Sequence, residues 1–178
     1  MGLTYREPAA LGTEHSLTGF SCRSAEQEDW LIRYARQSHA MGSTRVFVVT
    51  DVTGSVAAYY AWCMASVDDP ACLPERMRKG AGHYPQPVAL LARLGVDTRH
   101  EGRGLGAGLL RDIVARTFGL SGVIGCRGLL VHCESAEAKK FYTHMIPEFE
   151  ESPTDAMHLY LLLKDIRRTL GAPPAPAV

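Results

Sequence analysis

A chain of 178 residues, 46% hydrophobic and 21% charged, is long enough to bury a sizeable core within one domain. With 19 basic against 19 acidic residues its net charge is zero, so the chain as a whole has no electrostatic footprint for nucleic acid and any such binding must come from a local patch. No apolar run reaches the roughly 18 residues that span a bilayer. The start Met1-Gly2-Leu3-Thr4-Tyr5-Arg6-Glu7 lacks a charged-then-apolar export pattern, and Cys22, Cys63, Cys72, Cys126 and Cys133 contain no C-x-x-C pair. The expectation is a cytoplasmic protein with reduced, mostly buried thiols, without a disulfide framework, zinc knuckle or membrane span.

In chain order, Ser24 with Gln27 forms a capping box for a helix predicted to run to about His39, with Glu26, Glu28 and Asp29 in the first turn. Trp30, Leu31 and Tyr34 supply its apolar face. Arg45 to Thr50 and Val56 to Ala65 are β-rich runs, joined by the hairpin signal Asp51-Val52-Thr53-Gly54. Val67 to Pro87 then loses its pattern. It carries Pro70, Pro74, Pro85 and Pro87 with the basic Arg76, Arg78 and Lys79, and is expected to be a long loop, functional or disordered. Val88 to Val96 is a nearly continuous apolar strand covered on both faces, and Leu105 to about Phe118 a helix. Leu129 to Cys133 is another strand, Ser135 caps a helix through Met145, Met157 to Leu163 is a late strand, and Lys164 to Leu170 a short helix. The Pro/Ala-rich stretch 172–178 reads as an extended, disordered tail, which leaves 1–171 as one domain. The alternation of strands and helices predicts an α/β class with a mixed sheet covered on its faces.

Between the Val88 strand and the Leu105 helix the chain reads Arg99-His100-Glu101-Gly102-Arg103-Gly104, followed by Gly106 and Gly108. Glycines at a tight turn that opens directly into a helix make an anion cradle, because the first helical turn presents unpaired N–H groups and a positive dipole end. The dinucleotide pattern G-x-G-x-x-G fails at Ala107 and Leu109, and the Gly-Lys-Ser/Thr ending of a P-loop is absent. What remains is R-x-x-G-x-G. The same residues could instead form a turn that merely packs a helix on a sheet.

In this loop the chain resembles the GNAT N-acetyltransferases, whose coenzyme A pyrophosphate loop carries Q/R-x-x-G-x-G/A between a strand and a helix. A wider resemblance, to the GNAT toxins of toxin–antitoxin modules, covers most of the chain. It rests on Phe20-Ser21-Cys22 with Trp30-Leu31, on Arg45-Val46-Phe47-Val48-Val49, on Arg76-Met77-Arg78-Lys79, on Pro87 to Asp97, and on Arg127-Gly128-Leu129-Leu130-Val131-His132 with Phe141-Tyr142. The chain departs from the family at Arg23, where a small residue usually follows the cysteine, at Gly80 to Tyr84, and at Ile146-Pro147-Glu148-Phe149.

The resemblance implies a single-domain GNAT fold whose strands Val88–Val96 and Leu129–Cys133 splay apart to admit pantetheine, with acetyl-CoA as co-substrate and no metal. It implies backbone contacts from Leu94 and Val96 to pantetheine and N–H groups from Glu101, Gly102, Arg103, Gly104, Leu105, Gly106 and Ala107 to the pyrophosphate, with Ser135 and Phe141 also at the carrier. It implies an aminoacyl-tRNA acceptor held by Arg76, Arg78 and Lys79, which from the residues alone also read as a solvated basic face that Arg33 and Arg36 on the first helix could extend, and a ribbon-helix-helix antitoxin. A homodimer is expected as well.

Amide formation from a thioester needs a neutral amine, a polarised carbonyl and a proton for the departing thiolate. In the resembling toxins the tyrosine of the F-Y pair supplies that proton, and Tyr142 stands there. From the residues alone, Phe141 and Tyr142 also read as an aromatic core pair with Phe141 the deeper member. An α-amine near pKa 8 suits the site better than a lysine near 10.4. Glu101, His100 and His132 are candidate bases, against plainer readings of the first two as solvated loop residues and of His132 as a core imidazole. Two other functions fit less of the pattern. A small-molecule or peptide amine acetyltransferase keeps Tyr142 and the loop but makes the basic residues ordinary surface; a non-catalytic acyl-CoA-binding or repressor-complex subunit needs no Tyr142 at all.

Overall fold

The computed structural model describes residues 4–171, so the predicted tail lies outside them. Seven strands join in one mixed sheet, in the order β1-β2-β3-β4-β5-β7-β6, which agrees with the expected α/β class. The described residues form two compact units: residues up to Cys63 with Leu91–Asp112, and Met64–Leu90 with residues from Ile113 onward.

In the first unit β1 (Ala9–Ala10) pairs antiparallel with β2 (Arg45–Thr50), and β2 with β3 (Val56–Val67), in a register that sets Arg45 opposite Trp62 and Val49 opposite Ala58. The predicted turn forms because the Asp51 carboxylate accepts from the Thr53 and Ser55 N–H groups at 2.8 and 3.1 Å while Gly54 takes φ +86°. Ser24 caps α1 (Ala25–Arg33) by accepting from Gln27 N–H at 3.2 Å. The predicted single helix to His39 is corrected: Tyr34, at φ −118°, breaks it, and α2 (Ala35–Met41) follows. Tyr34 is 51% exposed and leaves the apolar face to Leu31 and Ala35. Those two pack with Phe20, Val46, Val48 and Tyr59. Trp30 stacks on Tyr59 at 6.1 Å beneath the Arg93 guanidinium, and the Tyr59 hydroxyl donates to the Gln27 carbonyl at 2.6 Å.

In the second unit, residues 67–87 are more ordered than a loop. Asp69 caps a 3₁₀ turn over Pro70–Cys72, Pro74 opens the one-turn helix α3 (Glu75–Arg78), and Met77 is buried with Leu73 and Tyr160. Proline tolerates a helix start where it forbids an interior, so the prolines that suggested disorder punctuate short turns instead. The strand β4 (Gln86–Val96) contributes to both units, as do β3 and α4 (Leu105–Ser121). β5 (Gly128–His132) pairs antiparallel with β7 (His158–Leu162), and the two-residue β6 (Glu150–Glu151) lies on the far side of β7. A Cβ on Gly128 would stand 2.3 Å from the Leu161 carbonyl oxygen, so the two backbones approach where only glycine fits. α5 (Ala136–Met145) and α6 (Leu163–Thr169) complete the fold.

Candidate active site

The glycine-rich loop belongs to the first unit, and its chemistry begins one residue beyond β4. Asp97, with no exposed surface, caps a 3₁₀ turn over Thr98–His100 by accepting from the Arg99 N–H at 2.9 Å. Arg99 then folds back on the same carboxylate, Nε to Oδ1 at 2.9 Å and Nη2 to Oδ2 at 2.7 Å, and Ser21 N–H adds a bond at 3.2 Å. Burial alone would raise the Asp97 pKa. The Arg99 and Ser21 donors outweigh it and hold the carboxyl at about 2. Arg99 also donates to the Gly19 carbonyl, and Thr98 N–H to the Ser21 carbonyl at 2.8 Å, so the base of the loop is bolted to residues 19–21. The arginine of the motif therefore braces the loop with its side chain.

Beyond this brace Gly102 and Gly104 adopt φ +70° and +79°, left-handed conformations that side-chain-bearing residues rarely take. Nothing stands within 4 Å of the Cβ either would carry, so backbone geometry, and not crowding, requires glycine at both. The first bond into α4 runs from Gly108 N–H to Gly104 O at 2.9 Å, which leaves Leu105, Gly106 and Ala107 as the open first turn. Gly106 and Gly108 sit inside the helix. Leu94 and Val96 are half-buried on β4, and Arg103 is exposed without an ion-pair partner among the described residues. Glu101 is held by Arg23 through three bonds of 2.7 to 3.0 Å.

The second unit carries the aromatic pair. Ser135 caps α5 by accepting from Ala138 N–H at 3.1 Å, and its carbonyl accepts from Lys139 N–H. The helical phase reverses the expected order of burial: Tyr142 is 7% exposed, while Phe141 is only half-buried. Phe141 and Phe149 meet the Tyr142 ring edge-on at 5.2 and 6.3 Å. Burial first, then the nearby Cys133 and Glu134, push the phenol well above its ordinary value. Its hydroxyl has no hydrogen-bond partner among the described residues, so Tyr142 is a neutral phenol with an uncommitted proton. Burial likewise raises the Cys133 thiol to about 11. The sequence reading did not connect Cys133 and Glu134 with Tyr142, because no local pattern brings them beside the phenol.

Of the candidate bases, His100 is buried and accepts or donates through Nδ1 to the Tyr5 hydroxyl at 2.9 Å, which corrects its reading as a solvated loop residue. Glu101 is occupied by Arg23. His132 is exposed, not a core imidazole, and stacks on His158 at 3.9 Å; desolvation and the neighbouring His158 lower its pKa. The basic residues are mostly engaged. Arg76 pairs with Glu150 and with the buried Asp165 at 2.9 Å, Lys79 with Glu75 at 3.1 Å, and Arg33 with Asp29 at 2.6 Å. Arg36 donates to the Gly12 and His15 carbonyls at 2.9 and 2.6 Å. Arg78 alone of the five stands exposed with no partner among the described residues. No group of three potential metal ligands occurs among the described residues, and no helix of theirs is long and apolar enough to cross a membrane.

No protein-family model matches the chain. It is 41% identical over 167 residues to a tRNA-acetylating toxin of Mycobacterium tuberculosis, a match that covers 94% of this chain and 98% of that one. The solved structure of AtaT complexed with acetyl-methionyl-tRNAfMet superposes with a TM-score of 0.83 at 21% identity, over 93% of this chain and 98% of that one. A tyrosine-to-phenylalanine mutant of the AtaT toxin, bound to the C-terminus of the antitoxin AtaR and acetyl-CoA, gives 0.77 at 20% identity, over 94% and 99%. At such identities the two structures establish a shared fold.

Proposed function

Because the chain belongs to the family of the tRNA-acetylating toxins, we propose that it transfers the acetyl group of acetyl-CoA to the α-amino group of aminoacyl-tRNA and so blocks translation. The observation that carries the chemistry is Tyr142, neutral, buried and with its hydroxyl unspent. Gly102 to Ala107 supply backbone N–H groups to the diphosphate, Leu94 and Val96 pair with pantetheine, and Ser135 and Phe141 flank the carrier. The neutral amine adds to the thioester carbonyl, the C–S bond breaks, and the phenol proton passes to the leaving sulfur. Solvent takes the proton lost by nitrogen and restores the phenol. At reference values, about 10 for a phenol and about 8.5 for a thiol, that transfer is uphill by about 2 kcal/mol. A dry pocket raises both groups together, and the sulfur becomes most basic as the bond breaks.

The acceptor follows from the relative and from the lack of a committed base. His100 is tied to Tyr5 and Glu101 to Arg23, so the site favours an amine that loses its proton unaided, as an aminoacyl ester does. Arg78 would meet RNA phosphates directly, and Arg76, Lys79, Arg33 and Arg36 on leaving the partners they hold here. An antitoxin of the ribbon-helix-helix kind, a homodimeric state and a cytoplasmic location complete the reading. A small-amine acceptor draws its support from the pairing of four of those five cations. Labelled acetyl-CoA incubated with charged total tRNA decides between them: acetylated aminoacyl-tRNA is expected, reduced about 10²- to 10⁴-fold by Tyr142→Phe. Label found on small amines and never on tRNA would replace this reading with the other.

A further inference from the structure

The loop carries a carboxylate where an anion cradle should have none. Glu101 lies directly before Gly102, and its side chain is only 29% exposed. The charges around it form closed pairs. Arg99 is spent on Asp97, which has no exposed surface, and Glu101 is spent on Arg23, leaving Arg103 as the surplus cation of the loop. Arg23 reaches across 78 positions of sequence to do this, with Nε to Oε1 at 2.8 Å, Nε to Oε2 at 3.0 Å and Nη2 to Oε2 at 2.7 Å, the fork geometry that suits a guanidinium and a carboxylate. It stands between Cys22, whose N–H donates to Glu28, and Ser24, the cap of α1. The guanidinium is thereby delivered by the segment that is bolted to the loop at residues 19–21.

Resting on the acetyl-CoA reading above, we propose that Arg23 is a positioning residue for the acyl carrier: it neutralises Glu101 and turns its carboxylate away from the diphosphate. Without Arg23 the Glu101 charge cancels that of Arg103, and the loop meets a polyanion with no net positive charge. The effect falls on carrier binding and leaves the acid at Tyr142 alone. It also explains how a long cation can occupy a position where the family usually has a small residue, since this chain pairs it with a carboxylate in the loop.

Titration calorimetry of the full chain with acetyl-CoA, at low and at 0.5 M salt, tests the proposal. Arg23→Ala should weaken binding about three- to tenfold at low salt, the size of one unscreened charge at the rim of a site, and less at high salt. Glu101→Gln placed in the Arg23→Ala background should restore affinity, which a merely structural arginine would not allow. In turnover, Arg23→Ala should raise KM for acetyl-CoA with kcat retained. Equal affinity of wild type and Arg23→Ala, or a double variant as weak as Arg23→Ala, overturns the proposal while the acetyl-CoA reading stands. Wild-type protein that takes up no acetyl-CoA overturns both.

Discussion

Replacing Asp97 with Asn removes one charge from a fully buried carboxyl that accepts four hydrogen bonds from Arg99 and Ser21. Folding moves this group from its ordinary 3.8 to about 2. At about 1.36 kcal/mol per pH unit the carboxylate contributes about 2 kcal/mol to stability. A depressed pKa gives stability that is complete above the unfolded value and lost as pH falls through the folded one. Asp97→Asn should therefore be about 2 kcal/mol less stable than wild type at pH 7, with the gap closing to about half near pH 3. Urea unfolding at pH 7, 5, 4 and 3 reads the difference. Equal stability at pH 7, or a gap that stays constant down to pH 3, would refute the claim that the Arg99 pair outweighs the burial of its partner.

Gly128→Ala drives a methyl group into the Leu161 carbonyl and should cost about 2–3 kcal/mol in thermal melting, whereas Gly108→Ala, with nothing within 4 Å, should gain up to about 1 kcal/mol from helix propensity. Ser135→Ala removes the α5 cap, and a loss of about 1 kcal/mol in the same melt is expected. Because burial holds the Tyr142 phenol above its ordinary value, kcat/KM for aminoacyl-tRNA should rise with pH as the amine deprotonates near 8 and show no fall from Tyr142 up to pH 9. A basic limb below pH 9 that disappears in Tyr142→Phe would contradict that assignment.

The parts of the fold that could be read from sequence are those set by local rules. β2, the turn at Asp51, the α4 start after Gly104 and the Ser135 cap depend on residues within a few positions of one another. β1 and β6 could not be read, since two-residue strands carry no alternation of their own and Ala9 and Glu150 become strand only by pairing with Val48 and Tyr160. Tyr34 fits an amphipathic pattern, yet its backbone leaves the helix at φ −118°, and on ten-residue α5 it is Tyr142, in contact with Phe149, and not Phe141 that is buried. The loop was legible through Arg99, Gly102 and Gly104. Its ties to the segment before α1 were not, because Ser21 and Arg23 lie more than seventy positions from Asp97 and Glu101.

Both tryptophans of the chain, Trp30 over Tyr59 and Trp62 opposite Arg45, belong to the first compact unit. Intrinsic emission excited at the red edge therefore reports on the surroundings of Trp30 and Trp62, while far-ultraviolet dichroism registers helices from both units. A lag between the two signals during denaturation would reveal loss of helix that the two indoles do not follow, with no label attached.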